Sequence, residues 1–441
     1  MKSDASMAQL VHALWPLSRD IISDGYDTAL EVLAKQVPLT IHEYPTGTEC
    51  WTWIVPEKWT CHEAYLETMA GDRLFSYTDN PLHVVSYSLP FEETVSRDEL
   101  FGHLHVHSVV PDAVPFVYKY YERDWGLCCS QEMRQALTDD YYRVVIRTSF
   151  SDGILKVGEV VVPGETDESF VLCAHLDHPA AANDGLSGVA IGVDVIRHLL
   201  QRTKMRHTYR LLVLPETIGS VAYLSHNEDL IPKMKCGLFL EALGLDNPHA
   251  LQLSFSGLSE ADLCFSLVLE EHDPQGWTAP FRSIIGNDER QFNSPGVRVP
   301  MLSLSRVLRM SSTLWPYREY HSGLDTPAIV SESSLCESRD LVIRMIDAME
   351  NNWVPLNKYR GEVCMSRYGL EETHPDTGTD SRPMRDVMHV IDGSRSITDI
   401  ARACGISFTV AWELVSRLHD AELVEYLTIN EATSVSSAPM S

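Results

Sequence analysis

Apolar positions recur at helical spacing through residues 7–36, at Leu10, Leu14, Leu17, Ile21, Ile22, Ala29, Leu30 and Leu33. A repeat near 3.6 residues brings such positions onto one face, which predicts helix there. From Cys50 to about Phe150 the texture changes. Short aromatic and β-branched runs (WTWIVPEKWTCHEAYLET, LHVVSYSLPF, PFVYKYYERDWGLCC) are broken by Pro, Gly and Asp-Asn, which predicts a β-rich domain. From Arg147 onward apolar strands and amphipathic helices alternate. GEVVVPG, SFVLCAHLD, YRLLVLPE, CGLFLEALG and VPMLSLSRV read as strands, and GLSGVAIGVDVIRHLLQR, VAYLSHNEDLI, EADLCFSLVLEEH and SSLCESRDLVIRMIDAMEN as helices. YRLLVLPE is apolar without alternation, as expected of a strand covered on both faces. The alternation predicts an α/β fold with a mainly parallel sheet flanked by helices. Reactive groups in such sheets gather beyond the carboxyl ends of the strands.

Beyond Pro355 the polar stretch EETHPDTGTDSRP reads as a linker. The segment from Met384 to Leu427 then reads helix, helix, Gly turn, helix, strand, the order of a winged helix, and NEATSVSSAPMS reads as a disordered tail. The expected organisation is an α/β domain from 1–48 and 147–356, an inserted β-rich domain at 49–146, a winged helix at 357–430 and a disordered tail at 431–441.

Composition narrows the function classes. The 441 residues are 44% hydrophobic and 22% charged, with a net charge of −27. That charge argues against nucleic-acid binding, which needs a basic face. Even the winged-helix segment, from Arg382 to Tyr426, holds five arginines, no lysine and seven acids, and so reads as protein-interacting. The longest apolar runs are too short to span a bilayer, and the first twenty residues carry no apolar stretch ending in a small-residue cleavage site. The ten cysteines form no paired CxxC units. Reduced thiols in a cytoplasmic chain are the simplest reading. HLHVH at 103–107 alternates three histidines, which a strand would present on one face, solvated rather than metal-bound.

The chemistry concentrates in the α/β segment. His175 ends the strand FVLCAHLD, where an imidazole can bind a metal through one nitrogen while Asp177 engages the other or orients the loop. His178 follows three residues on and is the competing ligand; His175 is favoured because it sits directly at the strand end. Asp184 precedes the helix GLSGVAIG and either caps it or reaches the same metal. Glu216 ends an apolar strand, where a carboxylate is costly unless it has a task, such as moving protons beside a metal. Glu241 ends CGLFLEALG in the same way. His321 lies in YREYHSGLDTP, beside Tyr320, whose hydroxyl either donates to an oxyanion or packs against the sheet. Asp288, Glu289 and Arg290, in DERQFNSPG, either hold an amine or carboxylate of a substrate or pair on the surface.

In this order the motifs H-x-D, N-D-x-x-S-G, E-x-x-G-S, a strand-ending acid and Y-H-x-x-x-D resemble the zinc aminopeptidases of the leucyl aminopeptidase and aminopeptidase S type. The whole chain, over roughly residues 5 to 430, is similar to a bacterial family with an aminopeptidase-like domain. It shares WTWIVPEKW, NPLHVVSYS, YYERDWGLC, AHLDHPAAANDGLSG, LPETIGS, DERQFNSPG and EYHSGLD. The resemblance implies one or two zinc ions. His175 and Glu241 would hold one, Asp184 would bridge, His321 would hold the second, Glu216 would be the base and Asp177 would orient His175. One departure stands out. The resembling enzymes carry two adjacent glutamates, where this chain has Glu216-Thr217. The second position therefore loses a carboxylate, and His178 or water could fill it.

The expected activity is hydrolysis of an amide in a small peptide or aminoacyl conjugate, with an acidic pocket for a free α-amino group. One alternative is an amidase or deacylase acting on an N-acyl small molecule, a natural-product or glycan intermediate. Another is a binding protein whose hydrolase core has decayed. No nucleic-acid or membrane partner is expected, and self-association into a homo-oligomer is left open.

Overall fold

The computed structural model describes residues 5–370 and 382–427. The expected tail at 431–441 and most of the expected linker lie outside the described residues. The chain divides into two compact units, Met1–Ser256 with Trp277–Arg339, and Gly257–Gly276 with Asp340–Ser441. The division differs from the expected boundary at 357, because the helix Glu260–His272 belongs to the second unit. Glu260 there accepts from the Asn352 side chain at 2.8 Å. The second unit also holds the helices Arg382–Val390, Ile397–Cys404 and Phe408–Asp420 and an antiparallel pair, Val354–Asn357 with Val424–Leu427.

The first unit is built on one eight-stranded sheet. Its strands in chain order are β1 (Thr40–Pro45), β2 (Ile154–Val162), β3 (Ser169–His175), β4 (Thr208–Leu214), β5 (Met234–Leu240), β6 (His249–Gln252), β7 (Trp277–Ala279) and β8 (Met301–Arg306). Across the sheet the order is β1-β2-β4-β3-β5-β8-β6-β7. The four central strands, β4-β3-β5-β8, run parallel. β6 and β7 are also parallel, so the sheet is mainly parallel as expected, with β2 antiparallel to β1 and β4, and β6 antiparallel to β8. The antiparallel β2 joins β3 through a short connection with no crossover helix. Every residue of β3 is buried, as its continuous apolar run requires. The helices Leu186–Leu199 and Ile218–His226 supply crossovers.

The helical pattern at 7–36 resolves into two helices, Met7–Leu14 and Asp24–Ala34. Pro16 cannot continue the first as an interior residue, and the Ser23 hydroxyl starts the second by accepting from the Tyr26 N–H at 3.1 Å. The aromatic region forms a separate antiparallel sheet in the order Arg73–Ser76, Lys58–Thr68, Tyr141–Ser151, Phe91–Ser96. Of the expected histidine strand only Leu104–His105 forms, paired with Leu127–Cys128. His103 ends a helix and stacks on Trp125 at 4.0 Å, while the Nδ1 of His107 accepts from Val110 at 2.9 Å.

One buried ion cluster ties the antiparallel edge to the core. Glu159 on β2 accepts from Arg210 at 2.7 Å and from the Tyr223 hydroxyl at 2.7 Å, and meets His42 Nε2 at 2.8 Å. Burial alone would raise its pKa, but these three partners hold it at about 2. A lowered folded-state pKa means stability that is present above the ordinary glutamate range and lost as pH falls towards 2. Glu159→Gln is expected to destabilise the chain by roughly 3 kcal/mol, because it leaves Arg210 buried without its charge partner. It should also flatten the acid side of the curve of melting temperature against pH. Equal acid sensitivity in wild type and variant would rule the cluster out as the cause.

Candidate metal centre

Strand register brings the candidate groups together. His175 pairs with Leu214, and Cys173 with Phe239. The residues just past these ends, Glu216 and Glu241, therefore emerge level with His175 at the carboxyl edge of three adjacent strands. β3 leads to β4 on one side and lies against β5 on the other, the switch point at which such sheets open a crevice. Gly185 permits the close approach of the next helix. Its φ is +92°, and a Cβ there would lie 2.7 Å from the His175 carbonyl oxygen. Asp184 is thereby held directly over His175.

The distances describe a compact cluster. His175 Nε2 lies 3.1 Å from Asp184 Oδ1 and 3.8 Å from Glu241 Oε1. The other oxygen of Asp184 lies 3.0 Å from His321 Nε2. His178 Nδ1 meets His175 Nδ1 at 2.8 Å, and its Nε2 lies 3.6 Å from Glu216 Oε2. His175, Asp177, Asp184 and Glu241 are at most 1% exposed. His175, His178 and Asp184 place ligand atoms all within 4.8 Å of one another. The Tyr320 ring stacks on His321 at 4.0 Å.

The electrostatics are those of a cavity built for a cation. Burial would lower the His175 pKa, but Asp177, Asp184 and Glu241 raise it well above its ordinary value. Burial pushes Glu241 up to about 7 and Glu216 well above the carboxylate range, and takes His178 down to about 4. Three atoms decide the fit to a metal. His175 Nε2 and both oxygens of Asp184 are buried and have no hydrogen-bond partner. Buried polar groups are otherwise almost always bonded. Unbonded nitrogen and oxygen atoms converging beside buried acids suit zinc, which takes both donor types.

Other groups hold this arrangement in place. Asp325 accepts the backbone N–H of Asn183 at 2.7 Å and of Asp184 at 2.9 Å, and the Tyr317 hydroxyl at 2.9 Å. Asn287 donates to Glu241. The buried Arg19 donates to the carbonyl oxygens of Leu176 at 2.8 Å and Ala181 at 3.0 Å. Asp177 accepts the Glu216 N–H at 2.8 Å and lies 3.6 Å from His175 Nδ1. The β-rich insertion also reaches the centre. Phe116 N–H donates to the His321 carbonyl oxygen at 2.7 Å, and its ring packs 4.9 Å from that of His178. Arg19, Phe116 and Asn287 carry no sequence signal beyond an Arg-Asp pair within an apolar helical stretch.

A cavity of about 670 Å³ opens at Glu216 and Thr217. Arg290 lines it and faces Glu216 at 3.7 Å. Asp288 and Glu289 are buried away from it. Asp288 accepts from Thr217 N–H at 2.8 Å and from the Ser220 hydroxyl. Glu289 accepts from Gln252 at 3.0 Å and from Asn287 N–H at 2.8 Å. Thr217 itself, with φ at +64°, begins the helix Ile218–His226.

A sequence model of a domain of unknown function, DUF4910, matches residues 8–352. A Clostridium acetobutylicum protein, provisionally named a polysaccharide biosynthesis protein with aminopeptidase-like domain, is 33% identical over 420 residues, covering 94% of this chain and 95% of its own. A crystal structure from the same organism, provisionally named a peptidase, superposes with a TM-score of 0.86 at 32% identity over 96% of each chain. A zinc aminopeptidase from Bacillus subtilis shares the fold, with a TM-score of 0.58 at 14% identity over 77% of this chain and 92% of that one.

Proposed function

The chain belongs to the DUF4910 family, and from this we propose that it is a metal-dependent hydrolase that cleaves an amide bond in a small peptide or an aminoacyl or N-acyl conjugate. One observation carries the reading. His175 Nε2 and both oxygens of Asp184 are buried and unbonded, beside a carboxylate, Glu216, that opens onto a cavity.

His175, Asp184 and Glu241 would hold one zinc, and His321 on the far oxygen of Asp184 would face a second, weaker position. When bound, such a cation acidifies water and withdraws charge from a carbonyl oxygen. The proton count separates the two neighbouring histidines. One proton fits between the Nδ1 atoms of His175 and His178. With both rings neutral, only the ring that donates that proton keeps a lone pair on Nε2. His175 Nε2 faces Asp184 and Glu241, so His175 is the donor and the ligand. His178 then carries its proton on Nε2, towards Glu216, and acts as a positioning residue.

Hydrolysis adds water across the C–N bond. The hydroxyl oxygen bonds to the carbonyl carbon, the C–N bond breaks, and a proton ends on the nitrogen. Glu216 accepts the proton of the attacking water and passes it to the leaving amine. Tyr320 donates to the carbonyl oxygen as charge develops there. None of the ten cysteines forms a disulfide among the described residues, and reduced thiols fit the proposed cytoplasmic setting.

The test is metal analysis of the purified chain, paired with hydrolysis of aminoacyl arylamides and N-acyl amines before and after chelation. We expect about one tightly held zinc per chain and turnover that is lost on chelation and restored by zinc. Turnover of N-acyl amines alone would assign an amidase or deacylase. A chain that holds no zinc and turns over neither class would be a binding protein with a decayed core.

A further inference from the structure

The cavity beside Glu216 differs in charge from the rest of the chain. Its wall carries Arg282, Arg290, Arg298 and Lys119 against Glu122 and Glu216, on a chain of net charge −27. Lys119 is paired with Asp124, and Arg290 faces Glu216. Arg282 and Arg298 form no ion pair among the described residues. Both arginines hold their backbones in the left-handed region, at φ of +63° and +55°. That conformation costs a residue with a Cβ roughly 1–2 kcal/mol. Strain of this kind clusters at binding sites, where the side chain has a task.

The wall beside the arginines is aromatic. The Arg298 guanidinium lies 4.3 Å from the centroid of the Phe255 ring, and Phe255 meets Phe281 edge-on at 5.8 Å. The β-rich insertion contributes Tyr118 and, at 5.9 Å from one another, Trp53 and Tyr121. A volume of about 670 Å³ suits a ligand larger than a single amino acid. Guanidinium groups recognise carboxylate and phosphate oxygens by paired hydrogen bonds, and aromatic faces cover a ring.

We infer that this cavity binds a ring-bearing molecule with an anionic group, a carboxylate or a phosphate ester, held by Arg282 and Arg298, and that the substrate of the adjacent centre is of this class. This differs from the acidic, amine-binding pocket expected from net charge and from the family resemblance. The word substrate rests on the hydrolase reading; the anion site does not.

Binding therefore tests it without turnover. Phenyl phosphate, phenylacetate and the neutral phenylacetamide are titrated calorimetrically into the full chain, both zinc-loaded and chelated. We expect at least one anion to bind about tenfold more tightly than the amide, since hydrogen bonds to charged groups are worth roughly 1.5–3 kcal/mol. The preference should weaken with added salt. Arg282→Gly with Arg298→Gln should erase it. Arg282→Gly alone relieves the left-handed strain, so it should lower anion binding without lowering the melting temperature. Phosphate preferred over carboxylate assigns a phosphate ester; equal binding assigns anionic charge in general. Equal affinity for the amide would overturn the inference. So would a preference that survives the double substitution, or one that vanishes with the zinc. A zinc-loaded chain that is inert towards amides yet prefers anions would sink the hydrolase reading alone.

Discussion

Glu216→Gln is expected to remove turnover while leaving the metal in place. Glutamine keeps the shape of the side chain but cannot accept and return a proton. General acid–base groups typically contribute about 10²–10⁴-fold, so kcat should fall by that range. KM and zinc content should stay near wild type, because Glu216 is not among the groups proposed to hold zinc. The pH dependence sharpens the test. Burial raises the Glu216 pKa well above the ordinary value. An acid limb in kcat/KM is therefore expected, with activity lost as pH falls and Glu216 takes its proton. In the variant, residual turnover should lack that limb. A variant that keeps a tenth or more of wild-type kcat would remove Glu216 from the proton-transfer role, and one that loses zinc as well would make it a ligand instead.

The parts of this centre that were legible in the sequence share one property. Each interrupts a local pattern. His175, Glu216 and Glu241 each follow an apolar run that reads as a strand, and Asp184 sits in a turn just before a helix with apolar periodicity. Parallel neighbours then bring strand ends together, so local pattern and general topology suffice to gather them. The groups that orient them obey no local pattern. Arg19 reaches Leu176 across 157 positions, and Asp325 reaches Asn183 across 142. Such contacts exist only once the N-terminal segment and the loop after β8 have packed. The same holds for Phe116, since nothing in an aromatic insertion says which of its rings will cover a histidine on another sheet. The sheet's antiparallel edge was hidden because a strand's apolar texture does not encode its direction. The charge of the cavity was hidden because net charge is a sum over the chain. A total of −27 is compatible with a wall that gathers three arginines.

Asp184→Asn should have the other large effect, the loss of both metal and activity. Each oxygen of Asp184 faces a different histidine, His175 at 3.1 Å and His321 at 3.0 Å, so the residue serves both proposed positions at once. An amide offers one acceptor where the carboxylate offered two, and brings N–H donors to atoms that need acceptors. Zinc content should fall below half of wild type, and turnover should drop to the level of the chelated enzyme. The stability readout separates metal binding from activity. Without metal, burial would raise the Asp184 pKa, but His178, His321 and His175 hold it well below the usual carboxylate range. A lowered folded-state pKa means that the ionised carboxylate stabilises the fold above the ordinary aspartate range, so the metal-free variant should be less stable than metal-free wild type. Zinc should raise the melting temperature of wild type, because a ligand that binds only the folded state stabilises it by mass action, and should do so little or not at all in the variant. A variant that zinc still stabilises as much as wild type would remove Asp184 from the metal site.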